Sequence, residues 1–175
     1  GLLYGRLNPK YIFINSTSLQ MKLMASTMVT KWNENIENEL VLSVDMDELP
    51  YIAPEQTGRL PIGVDERTDL YSLGVLFYEM ITQKSPFKSN NSLDCIFDIL
   101  TKKPDFTVFE KANDLTILKM IVERLLEKHP DNRYQSAVGL KEDLIRVQQQ
   151  LAEGVNEILF PLGQGDQILY PKPSS

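Results

Sequence analysis

The sequence is poor in the side chains that most often build redox or metal sites. Its 175 residues include one cysteine, Cys95, and one histidine, His129. A single cysteine excludes an internal disulfide and is typical of a reducing compartment, and we expect Cys95 to be a small buried side chain. His129 precedes Pro130, so we expect it to be solvated or to cap a helix end. No apolar run approaches the length of a membrane span, so no membrane segment is expected.

Positive charge is also in short supply. Lysine and arginine number 18 against 24 aspartate and glutamate residues, which gives a net charge of −6. This balance argues against nucleic acid or an anionic membrane as the main partner. The length suits one domain or part of one, and a hydrophobic fraction of 42% is sufficient for a packed core. The chain begins at Gly1 rather than at a methionine, so we expect it to be a fragment of a longer protein.

The beginning of the chain predicts a β-hairpin followed by a loop. Residues 11–15 and 19–24 have the composition of two short strands, and apolar and polar residues alternate in the second. Residues 15–18, Asn-Ser-Thr-Ser, supply turn chemistry between them. The polar and weakly periodic residues 25–49 predict a long loop.

The next part of the chain predicts a buried helix. Residues 69–82 leave almost no polar face, which is typical of a helix with no side open to water. We expect Asp69 to cap this helix, because its carboxylate can accept the free amides of the first turn. Burial is expected at three of its positions in particular, namely Leu73, Phe77 and Met80.

Three further helices are predicted from periodicity and from their end signals. The first follows Ser92, its expected cap, and presents Leu93, Ile96, Phe97 and Leu100 to the core. Another follows Asp114 and is closed by Pro130, and the last runs from near Ser136 to Gly154. Residues 154–175 are rich in glycine and proline and predict a linker.

Two segments, in this order, resemble protein kinases. Residues 51–56, Tyr-Ile-Ala-Pro-Glu-Gln, resemble the A-P-E motif, and residues 69–79 resemble the buried helix that follows it. Residues 125–134, Leu-Leu-Glu-Lys-His-Pro-Asp-Asn-Arg-Tyr, resemble the kinase stretch that ends in an arginine. The resemblance covers residues 1–150. It implies a mainly α fold with a small β-hairpin, the carboxy-terminal lobe of a protein-kinase-like fold without its amino-terminal lobe.

A narrower resemblance concerns large signalling proteins. Residues 53–59 and 65–74 resemble the kinase-like domain near the start of hybrid sensor histidine kinases of fungi and some bacteria. Residues 160–163, Phe-Pro-Leu-Gly, are similar to the segment that leads from that domain into an ATPase module. The resemblance implies a cytoplasmic phosphorelay protein of the two-component type. Its partners would be other proteins or adjacent modules of the same polypeptide.

The kinase resemblance also implies structural roles for three residues. Asp69 would hold the backbone of the catalytic loop. Glu55 and Arg133 would form a buried ion pair that closes the lobe.

The residues that transfer phosphate in kinases are replaced in this chain. The pattern H-R-D-L-x-x-x-N lies over residues 4–11, with Leu7 and Pro9 as retained anchors. The base position then carries Arg6, the lysine position Asn8 and the magnesium-binding asparagine position Tyr11. The aspartate of D-F-G is replaced by Ala25.

These departures do not depend on the alignment chosen. There is no aspartate from Gly1 to Val44 and no glycine between Gly5 and Gly58. Arg6 is a permanent cation where an anion is needed, and Tyr11 is a poor ligand for magnesium. We therefore expect no catalytic residue, cofactor site or metal site in this chain. The nucleotide-binding half that precedes the loop in kinases is also absent from it.

The expected organisation and function follow from this comparison. Residues 1–150 would be a kinase-like lobe: residues 1–24 a degenerate catalytic loop and hairpin, residues 25–55 an activation-segment-like loop, and residues 56–150 a helical subdomain. Residues 151–175 would be the helix end and a linker towards a following module. The favoured hypothesis is a regulatory or interaction module without phosphotransfer. Two alternatives stay open: part of an active or atypical serine/threonine-type kinase that binds ATP when joined to its missing lobe, and a gene remnant.

Overall fold

A computed structural model describes residues 3–24, 44–111, 116–155 and 157–167. It contains one β-hairpin, four α-helices and several short 3-10 helices, so the expectation of a mainly helical chain with a small hairpin is confirmed. Within the described ranges, no helix combines the length and the apolar character needed to cross a bilayer. The regular elements are β1 (Ile12–Ile14), β2 (Met21–Leu23), α1 (Glu66–Thr82), α2 (Ser92–Thr101), α3 (Thr116–Leu125) and α4 (Ala137–Ala152).

The hairpin forms where the turn residues predict it. The side chain of Asn15 accepts hydrogen bonds from the backbone amides of Thr17 and Ser18, each at 2.9 Å. These bonds close the turn without any contribution from the rest of the chain. The strands are antiparallel, and the register pairs Ile12 with Leu23, Phe13 with Lys22 and Ile14 with Met21. The predicted long loop over residues 25–49 lies outside the described residues up to position 43.

Helix α1 is buried as expected, but it begins one turn earlier than predicted. Its N-cap is Asp65, whose side chain accepts a hydrogen bond from the backbone amide of Arg67 at 2.8 Å. The prediction that Asp69 caps the helix is therefore wrong, because Asp69 already lies inside the first turn. The helix packs closely on α3: a Cβ atom at Gly74 would lie 2.7 Å from the Cβ of Leu125.

The burial of α1 is less complete than its sequence suggests. Leu73 and Phe77 are partly buried, whereas Met80 is 70% exposed. The expectation that Met80 is buried is wrong, because it lies in the last turn on a side that the lobe does not cover. Apolar residues on one exposed turn are common in folded proteins and do not change the burial of the helix as a whole.

Helix α2 is in the predicted place, but it is rotated about its axis, so a different face is buried. Leu93 is 70% and Phe97 65% exposed, and the buried face instead carries Cys95, Ile96 and Ile99. Cys95 is a buried free thiol, as expected, and burial raises its pKa to about 11. The predicted cap at Ser92 is also wrong by one position, since the side chain of Asn91 accepts the hydrogen bond from the amide of Asp94.

Helix α3 packs on α1, and α4 joins α3 and the start of α1 in one core cluster. Helix α3 buries one apolar stripe, and a 3-10 helix follows it at Pro130–Asn132. Helix α4 begins after Ser136, whose side chain accepts a hydrogen bond from the amide of Gly139 at 3.1 Å, as its N-cap role predicts. The stripe of α3 consists of Ile117, Ile121, Val122 and Leu125.

Residues 157–167 are packed on the lobe. A linker would leave its side chains in water, but Ile158 and Phe160 are each only 6% exposed and belong to a core cluster with α3 and α4. Burial of these two side chains is not typical of an exposed linker, and a connection to a following module stays a prediction. Residues 168–175 lie outside the described residues.

The hairpin, in contrast, leaves apolar side chains in water. Paired residues of neighbouring strands share a face, so Ile14 and Met21 lie side by side, and each is 64% exposed. Leu23, which pairs with Ile12, adds to this face, whereas Phe13 is exposed on the opposite face of the hairpin. Contiguous exposed apolar surface of this kind marks interaction sites or association.

We expect the isolated chain to bind a hydrophobic dye and to self-associate through the hairpin. Replacing Ile14 and Met21 together by threonine, which is compatible with a strand, should lower dye fluorescence and association. The comparison variant is Met80→Thr, which removes an exposed apolar side chain from α1. Dye binding and sedimentation would be measured on all three proteins. A monomeric wild-type chain that unfolds cooperatively and binds no dye would contradict this expectation.

Candidate functional site

The loop before the hairpin is held by a carboxylate of the buried helix. Asp69 Oδ2 accepts a hydrogen bond from the amide of Tyr4 at 2.7 Å, and its Oδ1 accepts one from the amide of Gly5 at 2.8 Å. Gly5 has a φ of 79°, which favours glycine. Burial raises the pKa of Asp69, and the two amides oppose this by stabilising the carboxylate. One side chain thus fixes the backbone on both sides of the Tyr4–Gly5 peptide bond.

Gln56 makes a second connection to the same loop. Its Nε2 donates a hydrogen bond to the carbonyl of Gly5 at 2.7 Å, and its Oε1 accepts one from the amide of Ala53 at 3.0 Å. Both bonds are buried, so the amide is well placed to join the 3-10 helix at Pro54–Thr57 to the loop. Sequence reasoning assigned no role to Gln56. Its position directly after Ala-Pro-Glu was the available signal.

The residues at the degenerate positions are engaged in local structure. Asn8 is 2% exposed, accepts a hydrogen bond from the amide of Lys10 at 3.0 Å and donates to the carbonyl of Arg6 at 3.1 Å. It therefore caps the 3-10 helix at Pro9–Tyr11. The ring of Tyr11 lies edge-on to that of Tyr4, with 6.4 Å between centroids.

Arg6, which is predicted to stand at the position of the catalytic base, lies half-buried. Its Nε is buried and has no hydrogen-bond partner among the described residues. It lines a small cleft together with Glu48, Tyr51 and Gln56. Ala25, the fourth degenerate position, lies outside the described residues.

The side chains at these positions are not of the kind that usually bind a magnesium nucleotide. Magnesium requires oxygen ligands, mainly carboxylates, and a base that orients a hydroxyl must accept its proton. Arg6 can only donate, and the side-chain oxygen of Asn8 is already used as a cap. Among the described residues, no three His, Cys, Asp or Glu side chains converge to hold a metal ion.

Lys10 ties the loop to the segment that leads into the Ala-Pro-Glu motif. Its Nζ lies 2.9 Å from a carboxylate oxygen of Asp47 and 3.2 Å from one of Glu48. The hydrogen bonds to these two carboxylates raise the pKa of Lys10. Because Lys10 and Asp47 are exposed, this contact positions the segments more than it stabilises them.

The structure brings Glu55 and Arg133 together at the centre of the lobe. Nη1 and Nη2 of Arg133 lie 2.6 and 2.7 Å from Oε1 and Oε2 of Glu55, and both side chains are 0% exposed. The hydroxyl of Thr68 donates a further hydrogen bond to Oε1 of Glu55 at 2.8 Å. Two parallel bonds of this kind fix the orientation of both side chains as well as their distance.

The remaining donors of Arg133 are also satisfied. Its Nε donates to the carbonyl of Glu127, and its Nη1 and Nη2 donate to the carbonyls of Arg67 and Lys128. Together with the two bonds to Glu55, these account for the whole guanidinium. The guanidinium also lies over the ring of Tyr71, 4.9 Å from its centroid.

A second buried arginine was missed by sequence reasoning. Arg67 forms ion pairs with its cap neighbour Asp65 at 2.6 Å and with Asp131 at 2.8 Å, and it donates to Gln135 at 2.9 Å. These contacts join the start of α1 to the segment that follows α3.

His129 is half-exposed and accepts a hydrogen bond from the amide of Asp131, which confirms its expected capping role.

Lys128 is an ammonium group enclosed beside the central pair. Its Nζ donates to the carbonyl of Ile99 at 2.6 Å and lies 4.3 Å from the centroid of the Phe87 ring. Burial, followed by repulsion from Arg133, lowers the pKa of Lys128 to about 8. None of these contacts involves a carboxylate at close range.

Comparison with known proteins places most of the chain in one family. Residues 1–145 match the family described as "Protein kinase domain". The chain is 49% identical over 102 residues to "Hybrid signal transduction histidine kinase G" of Dictyostelium discoideum, and 40% identical over 103 residues to "Peroxide stress-activated histidine kinase mak3" of Schizosaccharomyces pombe. Each match covers 58% of this chain, but only 3% and 4% of those proteins.

Serine/threonine kinases are similar to the chain as well. It is 34% identical over 121 residues to "Serine/threonine-protein kinase PknB" of Mycolicibacterium smegmatis, which covers 69% of this chain and 19% of that protein. The chain thus spans a small part of each of these relatives.

We expect Arg133→Ala to destabilise the protein by roughly 3–5 kcal/mol, because it leaves the buried carboxylate of Glu55 without its partner. Lys141→Ala is the control, since it truncates an exposed cation on α4. Urea unfolding of the wild-type chain and both variants measures the difference. Equal shifts for the two variants would show that the pair does not support the lobe.

Lys128 should make stability depend on pH. The unfolded chain keeps the ordinary lysine pKa of 10.5 while the folded value is about 8, so the unfolded state binds more protons between these values. Stability should therefore rise as pH increases through about 8, where the buried ammonium loses its charge. The difference in unfolding free energy between the wild type and Lys128→Met should change between pH 7.5 and 9. Lys141→Met replaces an exposed lysine, and its difference in unfolding free energy from the wild type should stay the same over this pH range.

Proposed function

The chain belongs to the protein kinase domain family, and from this premise we propose that it is a degenerate kinase-like lobe that acts as a regulatory and interaction module without transferring phosphate itself. The observation that carries the proposal is the arginine at the base position. Arg6 occupies the place of the aspartate that orients the substrate hydroxyl, and no aspartate lies between Gly1 and Val44 to replace it.

The chemistry of phosphoryl transfer supports this proposal. The reaction depends on positioning and on neutralising charge with magnesium, and these are held by acidic and amide side chains. Tyr11 offers a neutral phenol in place of a magnesium ligand, and Asn8 is committed to capping. A cation at Arg6 cannot accept the proton of an attacking hydroxyl at any physiological pH.

The intact framework favours a role in binding. Asp69 and Gln56 still hold the loop, and the Glu55–Arg133 pair joins its helical surroundings. A lobe that keeps its shape while its catalytic positions are replaced retains surfaces that other modules can recognise. We propose that its partners are proteins or adjacent modules of the same polypeptide.

The setting of this module is proposed from its relatives. Two of the similar proteins are histidine kinases by name, and this chain corresponds to a small part of each. We propose that the parent protein is a cytoplasmic hybrid sensor histidine kinase, in which this lobe regulates a phosphorelay. A gene remnant with no separate function is the alternative that sequencing of the surrounding transcript would test.

A second candidate function is an active or atypical serine/threonine-type kinase that binds ATP once joined to an amino-terminal lobe. The similarity to PknB, which extends over 69% of this chain, is the observation that favours it. The replaced positions weigh against it.

We expect the chain neither to bind ATP with magnesium at micromolar concentrations nor to transfer its phosphate. Isothermal titration and a radiolabel transfer assay would compare the wild type with Lys22→Ala, which alters an exposed cation of β2. Binding or turnover above that control would favour the atypical kinase.

The parent protein offers a complementary test. Arg6→Asp, Tyr11→Asn and Ala25→Asp together should not create activity in this chain. The same changes in the parent should restore nucleotide binding if its amino-terminal lobe is intact.

A further inference from the structure

The segment after α4 is anchored to the lobe by apolar and aromatic contacts. We refer to residues 158–167 as the strap. Its first part buries Ile158 and Phe160 against the cluster formed by α3 and α4. The guanidinium of Arg146 on α4 covers the Phe160 ring at 4.3 Å. These contacts hold the beginning of the strap.

An arginine of α3 binds the second half of the strap. Arg124 Nη1 donates to the carbonyl of Leu162 at 2.5 Å, and its Nη2 forms an ion pair with Asp166 at 3.2 Å. The Asp166 side chain is only 7% exposed. Its other oxygen accepts a hydrogen bond from the amide of Ser136, directly before α4, at 3.1 Å. A carboxylate at this position is favoured by the positive end of the helix.

Two further bonds connect the strap to α4 and its cap. Asp143 Oδ2 accepts hydrogen bonds from the amide of Gly163 and from the hydroxyl of Tyr134, both at 2.7 Å. Burial and this hydrogen bond to Asp143 raise the pKa of Tyr134, so the phenol stays a donor. The amide of Gln167 donates to the hydroxyl of Ser136 at 3.2 Å.

Two glycines leave the space that the contact between Arg124 and Asp166 requires. Gly163 has a φ of +72°, and a Cβ atom there would lie 2.6 Å from both Arg124 Nη2 and Asp166 Oδ2. A Cβ atom at Gly139 on α4 would overlap the Asp166 carboxylate. Both positions therefore leave room for the same ion pair.

We propose that the strap is a built-in docking element that fixes where the chain leaves the lobe. Because both halves are anchored, residue 167 lies beside the start of α4, and a module joined after it would follow the movement of the lobe. The proposal goes beyond the proposed regulatory function by naming the connection through which the lobe acts. Docking itself does not depend on nucleotide binding, so either proposal can fail alone.

Hydrogen exchange on the full chain tests the docking. The amides of Gly163, Asp166 and Gln167 are hydrogen-bonded and should be protected in the wild type. Gly163→Ala should accelerate their exchange by about tenfold or more, because the methyl group displaces the Arg124–Asp166 pair. Gly154→Ala is the matched control, with a φ of +73° but open space around its Cβ position. It should leave the strap protected.

A second pair of variants separates docking from general stability. Alanine favours a helix more than glycine does, so Gly139→Ala should strengthen α4 while expelling Asp166 and exposing the strap amides. Arg124→Met should expose the same amides, whereas Arg59→Met, at an exposed arginine, should not.

Three results would overturn the proposal. They are unprotected strap amides in the wild type, equal exchange in Gly163→Ala and Gly154→Ala, and strap amides in Gly139→Ala that stay as protected as in the wild type. Faster exchange confined to the strap in Gly163→Ala, Gly139→Ala and Arg124→Met would support it.

Discussion

The lobe depends on one buried ion pair, between Glu55 and Arg133. The two residues are far apart in the chain: Glu55 lies in the 3-10 helix at Pro54–Thr57, and Arg133 directly follows the one at Pro130–Asn132. Burying both charges costs free energy, and their mutual attraction offsets it only if every remaining donor and acceptor is bonded. That condition is met, because the guanidinium also binds three backbone carbonyls and the carboxylate also binds Thr68. The pair therefore specifies one arrangement of the segments around it.

The residues that hold the loop before the hairpin are different from the residues at its predicted catalytic positions. Asp69 and Gln56 bind the backbone of the loop, not its side chains, so they hold it whatever residues it carries. An arginine at the predicted base position, Arg6, would therefore carry no direct penalty for the loop conformation. Such a framework can keep its shape when side chains of the loop are exchanged. The loop conformation depends on backbone atoms, whereas catalysis would depend on side chains.

The parts that could be predicted from the sequence are those governed by local bonds. The hairpin turn at Asn15 and the cap at Ser136 each use contacts within three residues. The face of α2 could not be predicted in this way, because Ile96 fits both the predicted stripe with Leu93 and Phe97 and the actual one with Cys95 and Ile99. Packing against the 3-10 helix at Leu49–Tyr51 decides between them.

Contacts between residues distant in the chain could be predicted only where family motifs contained both residues. The meeting of Glu55 with Arg133 followed from the kinase resemblance, not from spacing. Gln56 directly follows the Ala-Pro-Glu motif, but its partner Gly5 lies 51 residues away and was not predicted. The burial of the strap was not predicted, because glycine-rich composition is typical of linkers, whereas the positive φ of Gly163 here permits a close approach to Arg124.

The contacts described here form a continuous path from the degenerate loop to the strap. Asp69, which holds the loop, lies next to Thr68, which binds Glu55, and Glu55 binds Arg133. Tyr134 follows Arg133 in the chain and shares Asp143 with the amide of Gly163. Contiguity alone does not transmit a signal, because transmission requires an element with two stable arrangements. The Glu55–Arg133 pair at the middle of this path has all its hydrogen bonds in one geometry only. The path therefore holds the loop and the strap in a fixed relation. Because Asp166 fixes the strap to the start of α4, any displacement of the lobe would carry the strap with it.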